Sequence, residues 1–165
     1  MTILNFPLFN SRNPKPVPNH KLALRVAKPF SRPVPLIGRA AAGRPIEAIE
    51  AAYGLDASVD VPISMLSNGE HFVLQVIGDS MIEDGILSGD FVVVKQQSSA
   101  VNGQTIVAQL GNKVTVKKYY RRGKRIELHP ANIEFKPIVV KYPESFQIDG
   151  VVVGVIRHLE QYVGR

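Results

Sequence analysis

From residue 71 onward the sequence breaks into short apolar runs, rich in β-branched residues and each closed by Gly, Asn or Asp, with no long helical period between them. That punctuation restricts the chain to a β-rich architecture. The predicted strands are Phe72 to Ile77, Phe91 to Lys95, Thr105 to Leu110, Val114 to Tyr119, Arg125 to Leu128, Ile138 to Lys141 and Phe146 to Ile156. Leu110-Gly-Asn-Lys113 and Arg121-Arg-Gly-Lys124 have hairpin length, with Gly111 and Gly123 available for positive φ, so three consecutive strands form a meander. In 165 residues this predicts one mainly β, mainly antiparallel domain in barrel or sandwich form. The one plausible helix is Pro45 to Ala52, opened by a proline and rich in Ala, Glu and Ile.

The amino-terminal part is of another kind. Residues 1–46 hold eight of the 20 basic residues, none of the 14 acidic ones and eight of the 12 prolines. The overall charge of +6 therefore divides into +8 for this segment and −2 for the rest. Prolines at this density fix φ and remove donors too often for a packed domain, and residues 1–35 read as an extended, basic, mostly disordered arm. Such an arm serves solubility, or weak contact with nucleic acid or an acidic partner. It does not supply the three helices of a DNA-reading helix-turn-helix, because Lys21 to Lys28 allows about two turns before Pro29. No apolar run is long enough to cross a bilayer and the apolar start lacks a basic flank, so neither export nor a membrane span is expected. Zero cysteines exclude disulfides, thiolate metal sites and a cysteine nucleophile, and with four scattered histidines they point to a cytoplasmic chain without a metal site.

The chemistry must lie where strands meet. Gly78-Asp79-Ser80-Met81 follows directly on an apolar strand, which puts the Ser80 hydroxyl at a sharp exit beside free backbone N–H groups. Ser80-Met81-Ile82-Glu83 also matches a capping box, and on spacing alone the cap is the favoured role; a nucleophile at the same place is compatible with it. No Ser-His-Asp constellation is visible, which leaves lysine as the base. Val114-Thr-Val-Lys117-Lys118 ends an alternating strand with two candidates, and a lysine turned inward loses basicity by burial. Periodicity leaves the choice open: Lys118 shares a face with Val114 and Val116, Lys117 with Thr115, and either lysine could equally be a solvated strand end.

The run from Phe72 through Gly78-Asp-Ser80-Met to Asp90, then Val114-Thr-Val-Lys117, Leu128-His-Pro-Ala-Asn-Ile-Glu-Phe-Lys-Pro-Ile138 and Gly150-Val-Val-Val-Gly-Val-Ile-Arg157, resembles the LexA/UmuD family of self-cleaving Ser-Lys peptidases. Upstream, Val34-Pro-Leu-Ile-Gly-Arg-Ala-Ala-Ala42-Gly43 resembles that family's cleavage segment. The resemblance implies Ser80 as nucleophile, Lys117 as base and Ala42–Gly43 as the scissile bond, in a catalytic core of short, highly curved antiparallel sheets. It implies an autopeptidase domain over residues 36–165 with the cleavage loop at about residues 36–50, no metal and no organic cofactor. The backbone N–H groups of Ser80 and Asp79 are the candidate oxyanion donors. Small residues at Ala41, Ala42 and Gly43 suit a bent segment entering a narrow cleft, and Val34, Leu36 and Ile37 suit an added strand.

Repressors of this family carry a helix-turn-helix before the cleavage loop, and the 42 residues present here do not fit one. The layout is UmuD-like, which implies a damage-response (SOS) accessory protein cleaved under a RecA–single-stranded DNA filament and then acting on a translesion DNA polymerase. The alternatives are a truncated or atypical LexA-type repressor and, in another class, a non-enzymatic β-barrel module that binds nucleic acid. Signal peptidases share the Gly-x-Ser-Met and lysine logic but need a membrane anchor. Phe146 to Ile156, eleven residues with a single charge, must be covered, either as a central strand or by pairing in part with its own copy. The resemblance favours the second, a homodimer.

Overall fold

The computed structural model describes residues 30–41, 57–141 and 145–159. Nine strands form one mixed sheet: β1 Ser31–Ala41, β2 Ser58–Pro62, β3 His71–Ile77, β4 Phe91–Gln96, β5 Thr105–Leu110, β6 Lys113–Arg122, β7 Arg125–His129, β8 Ile138–Val139 and β9 Phe146–Ile156, in the order β2-β1-β3-β4-β9-β5-β6-β7-β8. The mainly β expectation holds, and each of the seven predicted strands is present within a few residues of its predicted ends. Both hairpins turn through glycines at φ 61°.

β2 was not expected, and β1 was expected only as the strand that Val34, Leu36 and Ile37 could add to the sheet. β1 and β2 pair antiparallel from Ser31↔Pro62 to Pro35↔Ser58, and β1 then runs parallel to β3 from Leu36↔Val73 to Ala41↔Ile77, which makes the sheet mixed. The boundary drawn at residue 35 thus falls inside β1. Its prolines are compatible with a strand because of where their missing donors point. Leu36 donates its N–H to Ala57 O at 2.9 Å, on the β2 side. N–H direction alternates along a strand, so Pro33 and Pro35 face the opposite edge, where the β3 ladder has not yet begun. Residues 1–29 of the arm, the helix predicted over Pro45 to Ala52, and Ala42 and Gly43 lie outside the described residues.

β3 and β4 read as near-continuous apolar runs because both of their faces are covered. Phe72, Leu74 and Val76 pack with Met81, Val92, Val94, Val114 and Val116 on one side. On the other, Val73 and Val93 meet Val34 and Leu36 of β1 and Val61 of β2. A third cluster, centred on Ile106, Tyr119, Leu128 and Ile148, closes the β5–β7 end.

β9 joins two half-sheets. Residues 150–156 pair with β4 and residues 146–151 pair with β5, overlapping only at Gly150 and Val151. It is thus a central strand in the sheet order, while from Val152 to Ile156 only the β4 side carries a strand among the described residues.

Candidate active site

β3 ends at Ile77, and the chain turns through Gly78, whose φ of 97° suits a residue without Cβ. Two residues later Ser80 is 7% exposed. The loop that follows returns to the end of β3, with Val76 N–H donating to Asp90 O at 2.8 Å and Gly89 N–H to Val76 O at 2.8 Å. The Ser80 turn is therefore the tip of a closed loop. No capping box forms: the short 3-10 helix Ile82–Asp84 has Met81 at its N-cap without a side-chain cap bond. Glu83 instead donates its backbone N–H to Ala131 O at 2.8 Å and accepts the Ile133 N–H on Oε1 at 3.0 Å.

The Ser80 hydroxyl faces Lys117. Lys117 Nζ lies 2.6 Å from Ser80 Oγ, 2.9 Å from Val116 O and 3.2 Å from Thr115 Oγ1. Only 4% of Lys117 is exposed, and burial pushes its ammonium down from the usual 10.5 to about 8. A neutral amine has two hydrogens and one lone pair, which matches these three partners: two acceptors and a hydroxyl able to donate. Lys118, on the other face of β6, is partly exposed and pairs with Asp84 Oδ2 at 2.9 Å. The choice between the two lysines that periodicity left open is thus made by geometry: Lys117 meets the serine, and Lys118 braces the rim of its loop.

The turn is held from outside by the segment after β7. Ala131 N–H donates to Ser80 O at 2.8 Å. Asn132 Nδ2 donates to Asp79 O at 2.8 Å, while Asn132 Oδ1 accepts the Glu134 N–H at 2.9 Å. In a trans peptide the N–H points opposite the carbonyl, so the bond to Asp79 O orients the Ser80 N–H away from Asn132. Neither the Asp79 nor the Ser80 N–H has an acceptor among the described residues. A second brace is Asp90, 1% exposed, which accepts Arg157 Nε at 2.6 Å, Arg157 Nη2 at 2.7 Å and the Leu87 N–H at 2.7 Å. Burial alone would raise the Asp90 carboxyl, but the Arg157 bonds and charge and the Leu87 N–H outweigh it and hold it below the ordinary carboxylate range. Arg157 also donates to Gly85 O at 2.7 Å, tying the loop to the end of β9.

Thr115, Ala131, Asn132, Asp90 and Arg157 were given no part in the site by sequence reasoning. The available signal was Pro130-Ala-Asn132 between two strands, a turn whose amide side chain can bond to backbone. Ala42 and Gly43 lie outside the described residues, but β1 runs up to them: Ala41 pairs with Ile77, three residues before Ser80, so β1 ends at the same end of β3 as the serine.

A model of the peptidase S24-like family matches residues 35–153. LexA repressor of Syntrophotalea carbinolica is 56% identical over 137 residues, 83% of this chain and 66% of the relative. LexA repressors of Syntrophobacter fumaroxidans and Syntrophomonas wolfei are 49% and 44% identical over 125 and 126 residues, 76% of this chain and 58% and 59% of the relatives. The chain thus spans between 58% and 66% of the length of these three curated relatives.

Proposed function

This chain belongs to the peptidase S24-like family, and from that premise we propose that it is a serine peptidase that cuts its own Ala42–Gly43 bond, with Ser80 as nucleophile and Lys117 as general base. The observation that carries this reading is the 2.6 Å contact between Lys117 Nζ and Ser80 Oγ, with both residues buried. Neutral Lys117 takes the hydroxyl proton as Ser80 Oγ bonds to the Ala42 carbonyl carbon. The oxyanion of the tetrahedral intermediate is received by the Ser80 and Asp79 N–H groups, which have no other acceptor among the described residues. The C–N bond then breaks, the Lys117 ammonium returns the proton to the Gly43 nitrogen, and an ester joins Ala42 to Ser80. Water, deprotonated by Lys117, hydrolyses the ester and restores the hydroxyl. The parallel pairing of β1 with β3 supports cleavage of the same chain, since it leads β1 to within one residue of Ala42 at the Ser80 end of β3.

The wider role follows the relatives. Their name, LexA repressor, favours the catalytic part of a LexA-type repressor of the DNA-damage (SOS) response, with cleavage stimulated by a RecA–single-stranded DNA filament. The UmuD-like role beside a translesion polymerase has no comparable support. A homodimer is part of the reading, supported by the stretch of β9 from Val152 to Ile156 that has a strand on one side only among the described residues. Mass spectrometry after mild alkaline incubation tests the central point: the 18.1 kDa chain is expected to split between Ala42 and Gly43. A chain that stays whole is a binding module and not a self-cleaving peptidase.

A further inference from the structure

We infer that cutting the chain does not by itself release its amino-terminal part: the fragment of residues 1–42 stays bound to the remainder through β1. This rests on the cleavage reading above. β1 is an interior strand of the sheet, between β2 and β3. Both of those partners lie on the carboxy-terminal side of Gly43, so the cut removes none of the ladder pairs of residues 31–41.

Those pairs are reinforced at both levels. In the backbone, Leu36 N–H donates to Ala57 O at 2.9 Å and Ile63 N–H donates to Phe30 O at 3.0 Å, so bonds to the second fragment extend past the start of the strand. In the core, Val34 and Leu36 are 1% and 7% exposed and complete a cluster with Val61, Val73 and Val93. Losing β1 would open the sheet between β2 and β3 and expose that cluster to water, the kind of unpaired apolar edge that folded proteins avoid. Pro33 and Pro35 favour an extended backbone before docking, which lowers the entropy lost on staying bound. What hydrolysis removes is the covalent tether, which turns an intramolecular contact into a two-body equilibrium. Release then becomes a step separate from cleavage, and while β1 remains seated no equivalent strand from another chain can take its place beside β3.

The test uses the full chain with an affinity tag at its amino terminus, allowed to cut itself in mildly alkaline buffer. Denaturing gels report the cut, while size-exclusion chromatography and tag capture at about micromolar concentration report retention. The expected result is two bands in denaturant that co-elute and are captured together without it, unchanged in about 1 M salt, where contacts made only by a basic arm are screened. In the variant Val34→Ser with Leu36→Ser, which also loosens the seat of the cleavage segment, cutting is expected to slow and is followed on denaturing gels until the cut fraction equals that of wild type. The uncut chain is expected to keep its circular dichroism because the strand is tethered, and its fragments to separate after cutting. Wild-type fragments that elute apart overturn the inference while leaving self-cleavage standing, and fragments of the double variant retained as firmly as wild type overturn β1 as the cause. A wild-type chain that never cuts overturns the cleavage reading and the inference together.

Discussion

Lys117 is an expensive residue to bury, and the cost is measurable. Its ammonium is pushed down from 10.5 to about 8 by desolvation. Because the folded value lies below the unfolded one, the unfolded chain holds the proton more tightly from about pH 8 to about pH 10.5, and stability contributed by this site rises with pH across that window. Below it both states are protonated and the full penalty applies, roughly 3 kcal/mol at 1.36 kcal/mol per pKa unit. Between about pH 7 and about pH 10 roughly 2.5 kcal/mol of that penalty is relieved. The perturbation is Lys117→Met, which keeps the volume and removes the charge, made on Ser80→Ala so that no chain cuts itself during the measurement. Urea unfolding is followed by circular dichroism for Ser80→Ala with and without Lys117→Met at both pH values. Other titrating groups cancel in the difference. The methionine chain is expected to be the more stable near pH 7, and its advantage to shrink by about 2.5 kcal/mol near pH 10. An advantage that does not change with pH means that Lys117 titrates alike in the folded and unfolded chain, which refutes the claim that burial lowers it.

The rate of self-cleavage is expected to rise with pH, with a midpoint near 8, and to level off about one to two units higher, because only neutral Lys117 accepts the Ser80 proton; a rate that is flat across this range rules out a lysine base. Ser80→Ala and Lys117→Ala are each expected to abolish cleavage in timed gels, whereas Lys118→Ala keeps most of it and loses only an ion pair with Asp84 worth at most about 1 kcal/mol. Asn132→Asp retains the acceptor for the Glu134 N–H and loses the donor to Asp79 O. With Asn132→Ala it is expected to lower the high-pH rate by about tenfold or more while leaving the midpoint in place, and a shifted midpoint would mean that Asn132 acts on Lys117 instead. Val153→Glu is expected to shift the protein toward monomer in sedimentation at about micromolar concentration, as Val153 is 40% exposed while Val155 and Ile156 pack into the cores; an unchanged sedimentation coefficient sinks pairing through β9.

The strands after residue 71 were legible because each carries its own local signal, apolar runs cut by turn residues, and that signal survives in the structure from β3 to β9. β1 was legible only in part, as a strand added by Val34, Leu36 and Ile37 and not from Ser31 onward, for the opposite reason. Its sequence is full of residues that oppose strands, and only the partner geometry, with a ladder on one edge where the prolines stand, makes them harmless. The serine could be located from its strand exit, but spacing alone favoured a cap, a position the structure gives to Met81, and only the family resemblance pointed to a nucleophile there. Which lysine meets it depends on packing between β6 and a loop some 37 residues away in sequence, which periodicity does not encode, so that only the resemblance carried by Val114-Thr-Val-Lys117 singled out Lys117. Asn132 and Arg157 act over 53 and 67 residues, and were out of reach for the same reason.

The place of β9 bears on the order in which the chain becomes competent. Ser80 belongs to the half-sheet of β3 and β4, Lys117 to that of β5 and β6, and β9 is the strand between them in the sheet. A ribosome delivers both residues before it delivers β9. At about 5–20 residues per second, the roughly 40 residues from Lys117 to the end of β9 take about 2–8 s to make. During that time no backbone ladder joins the two half-sheets, and Ser80 and Lys117 are brought together only by the packing of Val114 and Val116 with Leu74 and Val92 and by the Ala131 and Asn132 bonds to the Ser80 turn. Among the described strands β9 is the last to be translated, and it is the one that completes the backbone ladder from β4 to β5, so the sheet that carries Ser80 and Lys117 becomes continuous only at the end of that interval.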